Sequence, residues 1–182
     1  MIKSILFVLI FSLLHNISHS NEIGQITGYK IPRFVSLKSE EVNLRIGSST
    51  NYPIILKYMA KNMPIEITDE YERWRKIKDI NGNEGWIRKD LLKGDRFVII
   101  IKDNKNKIYM YSKPNGVQIG EIGELNIARI KVCLEKWCKI KFDNHKGWIN
   151  KNNLWGIYEN ETINVPFYQP LINLIWKINI NK

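Results

Sequence analysis

Histidine and cysteine are scarce in this chain, with three histidines and two cysteines among 182 residues. His15 and His19 fall within the first twenty residues, which leaves His145 as the one histidine beyond them. A metal site needs three or four suitably spaced donors, and no such set stands in the sequence, so neither a metal nor any other cofactor is expected. There is no glycine-rich phosphate loop either, which removes the usual route to nucleotide chemistry. Acidic residues are the minority, 18 against 28 lysines and arginines, for a net charge of +10. The lysines are scattered through a chain rich in Lys, Asn and Ile rather than gathered in one patch. Nucleic acid is therefore not an expected partner.

A long apolar run occurs once, over Ile5 to Leu14 and broken only by Ser12. That is about half of the ~20 residues needed to cross a bilayer. With Lys3 before it and Ser18 and Ser20 at the cleavage-site spacing, residues 1–20 read as a secretory signal peptide. The expectation is a periplasmic or secreted protein with no transmembrane span once the signal is removed. Loss of Lys3 lowers the net charge from +10 to +9, and a surplus of that sign favours anionic partners such as wall polymers or lipid head groups.

What the chain does contain is an echo. "EGWIRKDLL" at residues 84–92 returns as "KGWINKNNL" at residues 146–154. Upstream, Trp74 answers Trp137, and Lys76-Ile77-Lys78 answers Lys139-Ile140-Lys141. The distance from the first tryptophan to the glycine differs by one residue between copies, which a turn absorbs. Each copy consists of short alternating runs, Val42-Leu44-Ile46 and Ile65-Ile67 in the first and Ile127 to Val132 in the second. Turn-forming segments such as "GSSTNYP", "DINGNEG", "SKPNG" and "DNHKG" separate them. No sustained helical period occurs within either copy. The reading is all-β, two tandem small barrels, each about fifty residues of strands bent to bury one face.

The predicted division is a signal at 1–20, an N-terminal segment at 21–31, a first barrel at 32–102, a second at 103–159 and an apolar tail at 160–182. Phe97 to Ile101 is too apolar for a free linker and reads as a strand continuing or joining the barrels; the polar run Asp103 to Lys107 is the candidate hinge. In the tail, Asn173 and Lys177 make a narrow polar stripe amid Leu171, Ile172, Leu174, Ile175, Trp176 and Ile178, which predicts a short helical or extended tail packed on the second barrel. Cys133 and Cys138, flanked by β-branched residues, predict a disulfide across a hairpin in an oxidising compartment. A bridge closing so short a loop is worth roughly 2 kcal/mol.

In order, "PRFVSLKSEEVNLRIGSSTNYP", "ERWRKIKDINGNEGWI", "CLEKWC" and "GWINKNNLWGIYE" resemble the tandem bacterial Src homology 3 (SH3) domains of exported Gram-negative proteins, over about residues 32 to 159. The resemblance implies a five-to-six-stranded barrel per copy and a binding role. It lends little about the ligand. The loop "GSSTNYP" departs from the family's usual Gly-Pro, and residues 160–182 have no counterpart.

Strand parity points to the candidate site. Trp86 and Ile87 cannot both face the core, nor can Trp148 and Ile149, so one of each pair looks outward. The candidate ligand-binding residues are Trp74, Trp86 and Trp148, with Tyr52, Tyr71 and Tyr109 as companions in the loops; indole faces of this kind stack on sugars, peptides or cations. Trp137, beside Cys138, is expected to cover the bridge, and Trp155 to pack the end of the second barrel. The acidic pairs Glu40-Glu41 and Asp69-Glu70 are expected on solvated surface. The one nucleophile-and-base pairing, Cys138 with His145, is silenced if the sulfurs are bonded, so no enzyme is expected. The functional expectation is a non-catalytic module binding cell-wall peptide or glycan, with an adaptor that docks on an envelope enzyme or secretion component as the alternative.

Overall fold

A computed structural model describes residues 22–102 and 107–178, with side chains through Trp176. The expected signal over 1–20 and the hinge residues Asp103 to Asn106 lie outside the described residues. A short hairpin of β1 (Glu22–Ile23) and β2 (Lys30–Ile31) comes first. The first sheet then collects β3 (Arg33–Leu37), β4 (Val42–Arg45), β5 (Ile54–Tyr58), β6 (Pro64–Tyr71), β7 (Trp74–Lys78), β8 (Glu84–Arg88) and β9 (Leu92–Lys93). The second collects β10 (Phe97–Ile100), β11 (Ile108–Tyr111), β12 (Gln118–Ile122), β13 (Ile127–Cys133), β14 (Trp137–Phe142), β15 (His145–Asn150) and β16 (Leu154–Trp155). One helix, α1 (Gln169–Ile178), follows.

Both sheets are antiparallel and seven-stranded, and their orders match strand for strand. The first runs β5-β4-β8-β7-β6-β3-β9 and the second β12-β11-β15-β14-β13-β10-β16. A single 3₁₀ turn, Lys89–Leu91 or Lys151–Asn153, precedes the last strand of each. This is an SH3-like fold made twice. It also moves the boundary read from the sequence at residue 102. Phe97–Ile100 pairs with β13 and β16, not with the first sheet, because the second unit needs its own counterpart of β3. The first unit therefore ends before Arg96, whose carbonyl already accepts from the Ile130 amide of the second sheet at 3.0 Å.

Each sheet bends around a separate core. Leu37, Leu44, Ile65, Ile77 and Ile87 are fully buried in the first, and Val98, Ile100 and Ile140 in the second. Full burial of such a side chain is worth about 1.5–3 kcal/mol. The repeated Gly-Trp-Ile is explained here. Ile87 and Ile149 enter the cores. A Cβ on Gly85 would stand 2.7 Å from the Arg45 carbonyl, and one on Gly147 would stand 2.7 Å from Met110 Cβ. Only glycine lets β8 and β15 cross so closely over β4 and β11. The one-residue difference between copies does sit in a turn: Ile77 faces Gly85 and Ile140 faces Gly147, with the mismatch beyond. In the longer first turn Asp79 accepts from the amides of Asn81 and Asn83 at 2.9 and 2.8 Å and from the Tyr58 hydroxyl at 3.1 Å. Burial first, and the Asp79 carboxylate second, push the Tyr58 hydroxyl well above its ordinary range.

One cross-strand position differs between the units. In the second, Cys133 pairs with Cys138 across β13 and β14 and the two are disulfide-bonded, with Cα atoms 4.1 Å apart. The same position in the first unit holds Glu70 opposite Arg75. Glu70 is therefore not on the solvated surface expected for it: its side chain is 1% exposed. A register shift between Ile67 and Asp69 turns it inward. Its carboxylate gathers the N-terminal hairpin, accepting from the amides of Ile26 and Thr27 at 3.3 and 3.0 Å, the Thr27 hydroxyl at 2.7 Å and Arg33 at 2.7 Å, with Arg75 Nε at 3.4 Å. On the second unit an extended C-terminal stretch takes the equivalent place, exchanging two backbone hydrogen bonds between Cys133 and Ile163 at 2.9 and 3.1 Å.

The units meet through packed aromatics. Phe34 lies 5.1 Å from Trp155 and 4.8 Å from Tyr158, ring centre to ring centre. Trp155 thus joins the two units instead of closing the end of the second; Leu154, its strand neighbour, fills that core. The Tyr158 hydroxyl donates to Glu66 at 2.7 Å, and burial together with that carboxylate raises its pKa well above the ordinary range. Arg96 grips Glu161 with both terminal nitrogens and the Gly156 carbonyl at 2.9 Å. Gly156, at φ +110°, leaves no room for a side chain against Phe97 and Pro64. Lys151, buried, donates to the carbonyls of Glu159 and Glu161 at 2.8 and 2.6 Å.

Glu70 yields a prediction. Burial alone would raise its pKa, but the Thr27 and Arg33 hydrogen bonds outweigh that and hold it below the ordinary carboxylate range. A carboxyl depressed in the native state contributes stability above its unfolded pKa, and that contribution is lost as pH falls through the lower native value. Glu70→Ala leaves two guanidiniums without their anion and is expected to cost about 3–5 kcal/mol. Urea unfolding of wild type and variant from pH 7 downward should show the gap narrowing in acid.

Candidate functional site

On the outer face of each sheet a single rung of side chains crosses five strands. In the first unit it runs Ile54, Arg45, Trp86, Lys76, Asp69. In the second it runs Gln118, Tyr111, Trp148, Lys139, Val132. Parity places both tryptophans outward, as the sequence requires with Ile87 and Ile149 inside. Their surroundings then diverge. Trp86 is half-buried. Trp148 is only 5% exposed, because α1 lies across it with Trp176 edge-on at 5.6 Å. Gln169, Ile172 and Trp176 form the face of α1 that lines this seat. Leu171, Leu174 and Ile175 point away from it and are more than half exposed, and Phe167 just before the helix is 95% exposed. The tail packs on the second unit, yet Phe167, Leu171, Leu174 and Ile175 face solvent. Among the described residues no helix is long and apolar enough to cross a membrane.

Beside each rung, two residues back along β7 and β14, opens a cleft with a tryptophan in its lining. Trp74 shares a cleft of about 370 Å³ with Ser48, Ser49, Thr50 and Arg88. Its counterpart Trp137 shares about 520 Å³ with Tyr109, Tyr111, Asn115, Asn150 and Asn153. The two are repeats of one site, since Trp74 pairs with Arg88 and Trp137 with Asn150 across equivalent strands. Trp74 is 8% exposed and Trp137 half-buried with Tyr111 edge-on at 5.3 Å. Both clefts combine an aromatic wall with hydroxyl or amide groups and with charge, Glu72, Arg73 and Arg88 in the first and Lys107 in the second. Such a lining suits a polar ligand with one flat or apolar face.

Trp137 therefore does not cover the disulfide. It precedes Cys138 on the strand, and neighbours point to opposite faces; both sulfurs sit in the second core. Its correspondence with Trp74 is the sequence signal that places it at the cleft. Of the other expected residues, Tyr71 lies opposite Trp74 at the end of its hairpin and is 52% exposed. Tyr52 is 49% exposed and folds over Gly47, where its carbonyl accepts from Arg45 at 2.7 Å. The five residues thus divide: Trp74 lines the first cleft, Tyr71 pairs with it across the hairpin outside that lining, Trp86 stands on the first rung beside Arg45, Tyr52 is tied to Arg45 from the loop, and Trp148 lies beneath α1. Glu40 and Glu41 are exposed as expected, as is His145. The sulfurs of Cys133 and Cys138 are bonded to each other, so neither presents a thiolate.

Two sheets of one strand order, each carrying a cleft at the same place, define a tandem SH3-like protein. The model of the bacterial SH3 domain family matches residues 38–94 and 126–156, one segment in each unit, so both units are similar to the bacterial SH3 domain. No curated protein matches its sequence. Among solved structures it is similar to NlpC2 from Trichomonas vaginalis, at 14% identity and a TM-score of 0.31 over 82% of this chain and 57% of that one. NlpC1 from the same organism aligns at 15% identity and a TM-score of 0.30 over 72% and 48%. An NlpC/P60 family protein from Bacillus cereus ATCC 10987 aligns at 12% and 0.31 over 77% and 61%. The chain thus spans about half to three-fifths of the length of these structures.

The cover over Trp148 is open to measurement. A chain ending at Val165 loses Trp176 yet should gain an indole accessible to iodide quenching, with emission moved to longer wavelength. Unchanged accessibility would mean that α1 does not shield Trp148.

Proposed function

We propose that the protein is an exported, non-catalytic module that binds cell-wall material, peptidoglycan peptide or glycan, through its twin tryptophan-lined clefts. The observation that carries this reading is the recurrence of one cleft, Trp74 with its serine and threonine wall and Trp137 with its asparagine wall, at the same position of both SH3 units. A repetitive polymer offers many copies of one short ligand. Two weak sites on one chain then gain avidity without new contacts, by factors of about 10² or more when both engage. The net positive charge of the chain draws it toward an anionic wall, while the aromatic walls supply contacts that salt does not screen. Similarity to the bacterial SH3 domain and the disulfide both fit work outside the cytoplasm.

A second reading, an adaptor docking on an envelope protein, draws on the exposed apolar side of α1 and Phe167. Both are addressed by sedimenting the protein with purified peptidoglycan at low and raised salt. Wall binding predicts that most binding survives raised salt, that Trp74→Ala or Trp137→Ala each lower affinity about 10-fold or more through lost avidity, and that the pair abolishes it. Association that vanishes with salt and ignores both substitutions would contradict it. If a chain ending at Val165 still binds wall but no longer retains an envelope protein, the adaptor reading gains.

A further inference from the structure

A third cavity, separate from the tryptophan clefts, opens between the N-terminal hairpin and the first sheet. Its volume is about 570 Å³, within the range of about 300–1,000 Å³ typical of small-ligand sites. Phe34, Val35, Ile67 and Leu92 make one part of the lining apolar, and Arg33, Arg75, Lys89 and Lys93 make another part cationic.

The charges do not balance. Arg33 and Arg75 share one carboxylate, Glu70, at 2.7 and 3.4 Å. Arg75 and Glu70 have side chains only 4% and 1% exposed, so a surplus of positive charge sits where water screens it poorly. Arg75 spends Nη1 on the carbonyls of Glu72 and Trp74 and Nε on Glu70; among the described residues its Nη2 has no hydrogen-bond partner. Lys89 forms no ion pair among the described residues. Lys93 reaches Asp95 at 3.4 Å and lies over Phe97 at 5.0 Å. The acidic residue in the lining, Asp90, is taken by Arg88 at 2.9 Å.

We propose that this groove binds the free carboxylate end of a short peptide, the carboxylate held by Arg75 with Lys89 and Lys93, and the terminal side chain on Phe34, Val35 and Leu92. A planar guanidinium matches a carboxylate's two oxygens, and the apolar lining gives the last side chain a dry surface that a bare inorganic anion does not use. Glu70 holds Arg33 and Arg75 in place from behind while leaving the groove cationic. The site shares no residue with the tryptophan clefts, so this proposal and the wall-binding reading stand or fall separately.

The test is a titration of the ¹⁵N-labelled protein with N-acetyl-alanyl-alanine and, separately, with its C-terminal amide. The acid is expected to shift the Nε–H signals of Arg33 and Arg75 and the amides of Lys89 to Gly94, with saturation in the millimolar range. The amide should bind at least about 10-fold more weakly, a difference of about 1.4 kcal/mol. Lys89→Glu with Lys93→Glu, which leaves the Glu70 cluster intact, should weaken the acid by a similar factor with the rest of the spectrum unchanged. Equal binding of acid and amide, no saturable shift, shifts mapping elsewhere, or indifference to the double substitution would each overturn the proposal. So would inorganic phosphate binding as well as the acid, which would make the groove a general anion site.

Discussion

The structure turns on one cross-strand position. Where β6 meets β7 and where β13 meets β14, the last inward-facing pair of the hairpin is Glu70 with Arg75 in one unit and Cys133 with Cys138 in the other. The covalent pair closes its hairpin and leaves the backbone of Cys133 free to pair with Ile163. The ionic pair does something a disulfide cannot: its carboxylate has lone pairs to spare, and with them it draws in Ile26, Thr27 and Arg33. From that single exchange follow the N-terminal hairpin on one flank, the C-terminal extension on the other and the cationic groove beneath the hairpin. A buried ion pair is seldom a net gain over an apolar pair of the same shape, so its presence here fits a site that must attach a segment and remain charged.

Duplication followed by divergence also organises the outer faces. Both units repeat the cleft beside the first tryptophan of the motif, and both turn the second tryptophan outward. One copy of that second indole remains half open, while the other is roofed by α1. The helix reaches its seat because the chain between Trp155 and Gln169 is pinned at Tyr158, Glu161 and Ile163 to the junction and to the edge of β13. Those pins tie the tail to both units at once. Glu66 and Phe34 belong to the first, Arg96, Lys151 and Cys133 to the second, and all five hold residues between Trp155 and Ile163.

Much of this was legible in the residues. Alternation of apolar positions, turn chemistry and the repeated Gly-Trp-Ile carried the all-β class, the tandem organisation and the disulfide, because strand parity and a local hairpin depend on near neighbours. The helical tail was legible for the same reason. What escaped depended on partners far apart in the chain or on register. Glu70 reads as surface because its inward turn comes from a shift in pairing that no local pattern announces, and Ile26, Thr27 and Arg33, which it gathers, lie more than thirty residues away. Phe97–Ile100 follows the first unit directly yet joins the second sheet, because adjacency in sequence does not reveal which sheet a strand joins. Trp137 stands beside Cys138 in the sequence, yet strand parity sends the two side chains to opposite faces.

If the two hairpins are truly one element used twice, their paired positions are interchangeable in geometry though not in chemistry. Mass spectrometry of air-oxidised protein carrying Glu70→Cys and Arg75→Cys measures this directly. A second intramolecular disulfide between the new thiols, with proteolysis now cutting the segment before Arg33 and sparing the sheets, is the predicted result. Free thiols at 70 and 75, or cross-linked dimers in their place, would contradict the equivalence of the two units.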